Sequence, residues 1–411
     1  MGAARSRWTA AGIRCAGGLC IGLLFTGCAT HTLNRARYEF YAGEPELAGQ
    51  ALDGVRIPRR DEVLFLMERG TVRQAQGDYE ASTRDFIDAY DRLVELETYS
   101  LSRGAGSLVV NDQIRHFVGA PFERTLLHAM TAVNHFARGS WDEAAIEARR
   151  ILWSLDDERR GNFPDEPYSR YLAGLAFELI DDPSNAALQY RRADTLLPQV
   201  AIDPATGRLG PAAPPQNDGE ELHGAWPVQA LDDEPAAPSE TGHELIVGLQ
   251  LGRSRGTAWG SAAPNHSAPL YAEIHANGVY LGRTYNLSDT ASLRSETERV
   301  RALREAAKTV TRIVIKEGIA VAVESNNENL GGLVRFILIG LLEQPDLRRW
   351  ETLPRWFQIA RVPAPPDLDA YTVVLKGRHG QTLRSFEVRE PLQRRRHQTV
   401  SFVRDLSQSA P

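Results

Sequence analysis

The segment Gln76-Gly-Asp-Tyr-Glu-Ala-Ser82 decides the fold, because variants of it recur along the N-terminal half of the chain. Each copy predicts a turn that enters a helix, with a small residue early in the helix and a second residue four positions later that is bulky in three of the four copies. A small residue where two helices cross lets their axes approach, and a bulky neighbour fills the groove beside it. The four pairs are Ala48 and Leu52, Ser82 and Phe86, Ala144 and Ala148, and Ala186 and Tyr190.

The spacing of these copies resembles the tetratricopeptide repeat. From Ala48 to Ser82 it is 34 residues, the period of that repeat, and the next two spacings are 62 and 42, so two copies are set apart by insertions. The resemblance implies stacked helical hairpins with a concave face that binds a peptide or partner helix. The alternative is a groove filled by the chain's own C-terminal half. The matching residues are Gly70, Gly77, Tyr79, Phe86 and Ala89, then Gly139, Trp141 and Ala144, then Gly174, Phe177, Ala186, Tyr190, Ala193 and Pro198.

The first 27 residues have the layout of a secretory signal. Three arginines and no acidic residue precede an apolar run from Cys15 to Thr26, which is too short to span a bilayer. The run leads into Leu23-Leu-Phe-Thr-Gly-Cys28, which resembles the lipobox of bacterial lipoprotein precursors, with Phe25 in a place where Leu is usual. An ordinary signal cleaved near Gly27 is the alternative.

The lipobox resemblance implies that Cys28 is lipidated and becomes the first residue of the mature chain. An anchor of this kind holds a protein to a membrane without crossing it. In similar lipoproteins an Asp after the cysteine retains the protein in the inner membrane. Ala29 stands there instead, which favours the periplasmic face of the outer membrane.

Composition excludes several classes of function. Removal of the signal leaves 44 basic against 53 acidic residues, a net charge of −9, so nucleic acid is not an expected partner. Cys15 and Cys20 leave with the signal and Cys28 carries the lipid. The mature chain then has no thiol for a disulfide, for catalysis or for a metal site.

The sequence predicts an α+β protein in four segments. These are the signal at 1–27, the repeat-like helical solenoid at 28–198, a Pro- and Ala-rich linker at 199–241, and a C-terminal α+β domain at 242–408. In that domain Asn277-Gly278 predicts a hairpin turn, and apolar residues from Leu293 to Val314 predict one long amphipathic helix. The remaining apolar runs predict a mostly antiparallel sheet.

One stretch before the last strands is the most distinctive of the C-terminal half. Together with the lipobox and the repeats, it resembles a family of uncharacterised bacterial tetratricopeptide-repeat lipoproteins in which similar residues recur. Leu-Pro is expected to end a helix and launch a strand, and the arginine to pair with the aspartate or to bind an anion. A structural role and a binding role both stay open. The residues are Asp346, Trp350, Leu353, Pro354, Gln358 and Arg361.

The sequence offers little support for a catalytic or cofactor-binding site. The segment Gly252-Arg-Ser254-Arg-Gly256 has the spelling of a hydrolase nucleophile elbow, but the loop-like residues after it do not predict the helix that an elbow must open. His128 and His135 lie seven apart without a third ligand nearby, and no phosphate- or dinucleotide-binding motif is present, so neither metal nor cofactor is expected. The sequence therefore favours a non-enzymatic scaffold that binds an envelope protein, with a serine hydrolase using Ser254 as the alternative.

Overall fold

The computed structural model describes residues 32–102, 116–212, 242–254, 271–304 and 348–406. The signal, Cys28, most of the predicted linker and Asp346 lie outside these residues. The described chain is an α+β protein, as predicted. Within it, no helix is both long enough and apolar enough to cross a bilayer.

The N-terminal part is helical and forms four consecutive hairpins. Helix α1 covers residues 32–41, and a short 3₁₀ turn at Arg59–Asp61 leads into the second hairpin. The other helices are α2 (Pro45–Leu52), α3 (Glu62–Ala75), α4 (Tyr79–Ser102), α5 (Pro121–Ala137), α6 (Trp141–Arg160), α7 (Pro167–Leu179) and α8 (Pro183–Thr195).

The hairpin turns share one backbone feature. In each turn one residue has a positive φ, and that residue lies five positions before the small residue of the predicted pair. Three of these residues are glycine, for which this conformation carries no steric penalty, and the fourth is aspartate, which tolerates it better than most residues. The backbone therefore repeats in step with the predicted sequence pattern, since the same turn conformation recurs at the same distance before each small residue. The residues are Gly43, Gly77, Gly139 and Asp181.

The predicted small and bulky residues pack as expected. All four pairs are buried. A Cβ atom added at Gly70 would lie 2.4 Å from the Phe86 ring, and one added at Gly174 would lie 2.7 Å from the Tyr190 ring. Glycine therefore lets the second helix of each of these hairpins close onto the first.

The predicted linker is folded at its start. Strands β1 (Val200–Ile202) and β2 (Leu209–Pro211) form an antiparallel hairpin, and Val200 and Ile202 are buried with the helical core. The Pro and Ala content predicted an extended chain here. The segment folds instead, because its few apolar residues can pack on the surface of the helical array.

The C-terminal part contains two sheets and helix α9, described over residues 290–304. One sheet has five strands in the order β10-β11-β3-β7-β6, with β11 parallel to β3, and the other has four antiparallel strands in the order β5-β4-β8-β9. The strands are β3 (Glu244–Leu251), β4 (Tyr271–Ala276), β5 (Val279–Arg283), β6 (Tyr285–Asp289), β7 (Trp356–Pro363), β8 (Tyr371–Lys376), β9 (Thr382–Val388), β10 (Gln393–Arg395) and β11 (Gln398–Asp405).

The five-stranded sheet is the middle of three layers. Every residue of β3 is buried, since one face of the sheet packs on the four-stranded sheet and the other on the helices. Leu245 and Val247 contribute to the core between the sheets, whereas Ile246 belongs to the core with the helices. Strands β6 and β10 were not expected from the sequence. The Asn277-Gly278 turn joins β4 and β5 with positive φ at both residues, as predicted.

Candidate functional site

The distinctive C-terminal stretch lies between the two halves of the molecule. Trp350 is fully buried, and its indole Nε1 donates to Thr71 Oγ1 of α3 at 2.9 Å. Its ring meets Phe86 edge-on, with 5.8 Å between centroids. The ring thus fills the gap beside the Gly70–Phe86 contact and ties the C-terminal chain to the second hairpin.

Two buried glutamates of the helical half accept backbone N–H groups from this stretch. Glu68 accepts from the backbone N of Glu351 at 2.9 Å and from that of Thr352 at 3.1 Å. Glu123 accepts from the backbone N of Trp350 at 3.2 Å and from the guanidinium of Arg294 at 3.1 Å. Hydrogen bonds to an ionised acceptor are the stronger kind, and here they fix the path of the chain across α3 and α5.

A third glutamate lies at the start of α7. Glu166 is fully buried, caps the helix by accepting from the backbone N of Tyr168 and of Ser169, and also accepts from Ser288 Oγ of β6. Burial raises the pKa of Glu166 to about 7, although the hydrogen bonds from Ser169 and Tyr168 oppose that shift. The cap therefore also links the helical array to the edge of the sheet.

The fourth contact is an ion pair centred on Arg361 of β7. Its guanidinium donates to both carboxylate oxygens of Glu178 on α7, at 2.9 and 2.6 Å, and to Glu244 of β3 at 2.7 Å. Burial opposes ionisation of Glu178, but the hydrogen bonds and charge of Arg361 bring its pKa below the ordinary value. Arg361 was expected to pair with Asp346 or to bind an anion; the structure places the carboxylates of Glu178 and Glu244 around it, and Asp346 lies outside the described residues.

The other residues of the stretch are buried and bonded within the sheet. Leu353 lies in the core, and the carbonyl of Pro354 accepts from Thr290 Oγ1 at 2.9 Å. Gln358 Oε1 accepts from Thr284 Oγ1 at 2.6 Å. Strand β7 begins two residues after Pro354, as the Leu-Pro step predicted. Trp350, Leu353 and Arg361 thus hold the two halves together, Pro354 and Gln358 are bonded within the C-terminal half, and Asp346 is outside the described chain.

The first helices of the hairpins do not offer an open groove in the described chain. Helix α1 contacts the stretch through Tyr41, whose hydroxyl donates to the carbonyl of Glu351. On α5 the Phe136 ring stacks on Phe402 of β11 with 5.4 Å between centroids, and on α7 Tyr168 meets Phe357 of β7 at 4.4 Å. The partner surface expected along such a groove is therefore occupied by the chain's own sheet, which is the arrangement of the alternative prediction.

The second helices carry most of the exposed apolar residues of the described array; Tyr38 on α1 and Val118 before α5 are the others. Trp153 is 65% exposed, and Ile146, seven residues earlier on the same face of α6, is 49% exposed. A large aromatic side chain in water is unusual for a monomeric surface and marks a candidate contact site. The members of this outer surface are Leu47 on α2, Val94 on α4, Ile146 and Trp153 on α6, and Leu188 on α8.

Ser254 lacks the surroundings of a nucleophile. Its side chain is 1% exposed, and its Oγ makes no hydrogen bond to any described residue. Its backbone N donates to the carbonyl of Leu353 at 3.3 Å, which holds it against the stretch before β7. Nucleophilic serines need a base within hydrogen-bond reach and access to substrate, and neither is found in the described residues. The two residues of the chain that follow Ser254 in the G-x-S-x-G spelling are outside them.

The predicted histidine pair serves the helical core. His128 Nδ1 lies 2.8 Å from Glu147 Oε2, while His135 is buried and burial lowers its pKa. Among the described residues no group of three or more metal-ligating side chains comes together.

Comparisons with known proteins add one distant likeness. No family model matches the chain, and no curated protein matches it. Among solved structures, residues 41 to the end of MamA from Desulfovibrio magneticus RS-1 are similar at 13% identity, over 42% of this chain and 77% of that one, with a TM-score of 0.29. A TM-score this low does not establish a shared fold, so the architecture of the protein is argued from its own residues.

Sequence reasoning missed the four glutamates of the junction. Glu68 carried a usable signal, because it shares a helical face with Leu64 and Val72, four residues to either side, and a charge on an apolar face needs a buried partner. No signal in the sequence pointed to the partners themselves, since they come from segments more than a hundred residues away.

Proposed function

We propose that the protein is a non-enzymatic, protein-binding scaffold of the bacterial cell envelope, anchored by lipid on Cys28. In this proposal the partner binds the outer surface formed by the second helices. The observation that carries it is the exposure of Trp153 beside Ile146 on α6, while the first helices are covered by the sheet. Tryptophan is one of the residue types that most often dominate protein interfaces.

The repeat architecture supports this role. The four hairpins follow one phase of turn, small residue and filling residue, as expected of a solenoid whose neighbours bury each other. Filling the inner face with the protein's own sheet makes the array rigid, and a rigid array presents its outer surface at low entropic cost.

The anchor and its location rest on the sequence. The lipobox-like segment before Cys28 supports lipidation, and Ala29 supports the periplasmic face of the outer membrane. The described part of helix α1 begins at residue 32, and residues 29–31 separate it from the proposed lipidated cysteine.

Site-specific photocrosslinking in intact cells tests the partner surface. A benzoylphenylalanine introduced in place of Trp153 is expected to give a reproducible covalent adduct with one envelope protein. The matched control is the same substitution at Val279 of β5, an exposed apolar residue on the opposite layer at 62% exposure. Adducts that are the same at both positions, or no adduct at position 153, would contradict the proposed surface.

Fractionation of cells tests the anchor separately. Cys28→Ser removes the thiol that takes the lipid, and acyl chains contribute roughly 0.8 kcal/mol per buried methylene to membrane attachment. The variant is expected to fold, and either to leave the membrane fraction or to remain as an uncleaved precursor. A membrane pool as large and as processed as that of the wild type would overturn the lipoprotein assignment.

A further inference from the structure

The ends of the hairpins differ in charge. At the turns that join first to second helices, exposed acidic residues dominate, because three of the four second helices, α2, α4 and α6, carry carboxylates in their first turn, where they suit the helix dipole. Four of the exposed acids there are Glu46, Asp78, Glu80 and Asp142. This end of the array is therefore negative, in line with the net charge of the whole protein.

The opposite end of the first hairpin is basic. It holds the start of α1 and the loop between α2 and α3, where four arginines are exposed: Arg35, Arg56, Arg59 and Arg60. We call these four residues the basic patch. Its arginines stand out in a chain whose net charge is −6.

The acids beside the basic patch are mostly neutralised by arginines from other elements. Asp61 pairs with Arg348 at 2.6 Å, and Glu62 pairs with Arg92 at 3.1 Å. Of the acids at this end in the described chain, Asp53 is exposed with no ion pair to offset it. Arg60 also lies 3.4 Å from Asp61, which leaves Arg35, Arg56 and Arg59 against one such acid and so a positive surface.

The chain path brings this patch next to the anchor. Only residues 29–31 separate Cys28 from Thr32, the start of α1, so the two Cα atoms lie at most about 14 Å apart. The anchor therefore keeps the patch near the membrane surface, where charges act over about 8 Å at physiological ionic strength. Tyr38, 73% exposed on α1, adds an aromatic side chain of the kind enriched at membrane interfaces.

We infer that the basic patch binds anionic phospholipid headgroups and so fixes the orientation of the protein on its membrane. This inference rests on the proposed lipid anchor at Cys28. The lipid fixes the protein to the membrane but leaves its orientation open, and a basic surface beside the anchor supplies a second contact that sets it. With the patch on the headgroups, the negative end of the hairpins points away from the membrane.

Vesicle binding of the mature chain, residues 28–411 with Cys28→Ser, tests the patch without the lipid and without the basic, apolar signal segment. The chain is expected to co-sediment with phosphatidylethanolamine vesicles that contain phosphatidylglycerol, and far less with vesicles of phosphatidylcholine alone. Each basic residue near an anionic surface contributes roughly fivefold. Arg35→Gln, Arg56→Gln and Arg59→Gln together are therefore expected to lower partitioning on the order of 100-fold, and added salt to lower it further in the parent chain.

A matched triple variant controls for net charge. Arg84→Gln, Arg138→Gln and Arg389→Gln remove the same three charges from exposed positions at the acidic end of the hairpins and on the sheets, and are expected to change partitioning by less than threefold. Equal losses in the two triple variants, or no binding of the parent chain to anionic vesicles, overturns the inference. The outcome is independent of lipidation, so failure here leaves the anchor at Cys28 to be judged by fractionation.

Discussion

The two faces of the five-stranded sheet are built from different chemistry. The face towards the four-stranded sheet is aliphatic, with Leu245, Val247 and Leu249 of β3 packed against residues such as Ile274 and Val373. The face towards the helices carries aromatic rings and an arginine, and it receives three buried glutamates and the partly buried Glu178 from the helical half.

The two faces therefore have different roles: the aliphatic face contributes stability, and the polar face determines how the helical half sits on the sheet. Burial of aliphatic side chains is favourable in proportion to area and has no direction, so many arrangements of the two sheets would satisfy it about equally. A buried carboxylate must find its donors, and leaving it without them carries a large penalty. The helical half is therefore placed on the sheet by a few directional contacts, and these contacts are expected to be far less tolerant of substitution.

Removal of Arg361 is the strongest way to test the polar face. Arg361→Met leaves the partly buried Glu178 without its cation and Glu244 with Arg208 alone, so the free energy of unfolding is expected to fall by about 3 kcal/mol, the low end for a broken buried pair. Chemical denaturation of the full chain measures the change. Adding Glu178→Gln and Glu244→Gln to Arg361→Met is expected to restore most of the loss, since no buried charge is then left unpaired. A triple variant as unstable as Arg361→Met would show that shape, not charge, holds this site.

Two conservative substitutions compare the polar and the aliphatic face of the five-stranded sheet directly. Glu123→Gln keeps the size of the side chain but turns an amide NH₂ towards N–H donors, and a loss of about 2–3 kcal/mol in the free energy of unfolding is expected. Leu249→Met, on the aliphatic face, keeps volume and is expected to lose less than about 1.5 kcal/mol. Equal losses in the free energy of unfolding for the two variants would contradict the distinction between the faces.

Substitution of Gly70 tests how tightly the two helices of the second hairpin pack against each other. Gly70→Ala puts a methyl group 2.4 Å from the Phe86 ring, which Trp350 of the junction also contacts. Overpacking of this kind is expected to lower the free energy of unfolding by about 1–3 kcal/mol, partly offset by the better helix propensity of alanine. Phe86→Leu in the same chain should relieve it. Gly70→Ala without effect in thermal denaturation would mean that the hairpins are packed loosely.

The smallest expected effect concerns pH and the helical layer alone. Burial raises the pKa of Glu158 to about 8, so the folded protein binds a proton there that the unfolded chain releases near its ordinary pKa. More protons bound in the folded state mean that stability falls as pH rises from about 5 to 8. Glu158→Gln is expected to remove on the order of 1–2 kcal/mol of that fall. Denaturation at pH 5 and pH 8 checks it, and identical slopes for the variant and the wild type would contradict it.

Sequence reasoning found the local structure and missed the assembly. The repeat phase, the small and filling residues of each hairpin, the Asn277-Gly278 turn and the break at Leu353-Pro354 were all readable, because each depends on neighbours within a few residues or one helical turn. The hairpin β1–β2 and strand β6 were not, because short segments become strands only when a partner surface accepts them.

The helical hairpins and most of the strands followed from the sequence alone, since periodicity and turn chemistry are local properties of the chain. Only the tertiary structure decided that the sheet fills the inner face of the array, and that Trp350 and Arg361 meet Thr71 and Glu178 there. Those partners lie 279 and 183 residues apart in sequence. Pairings over such distances leave no local pattern, because they are selected by the shape and charge of two surfaces that exist only after each half has folded.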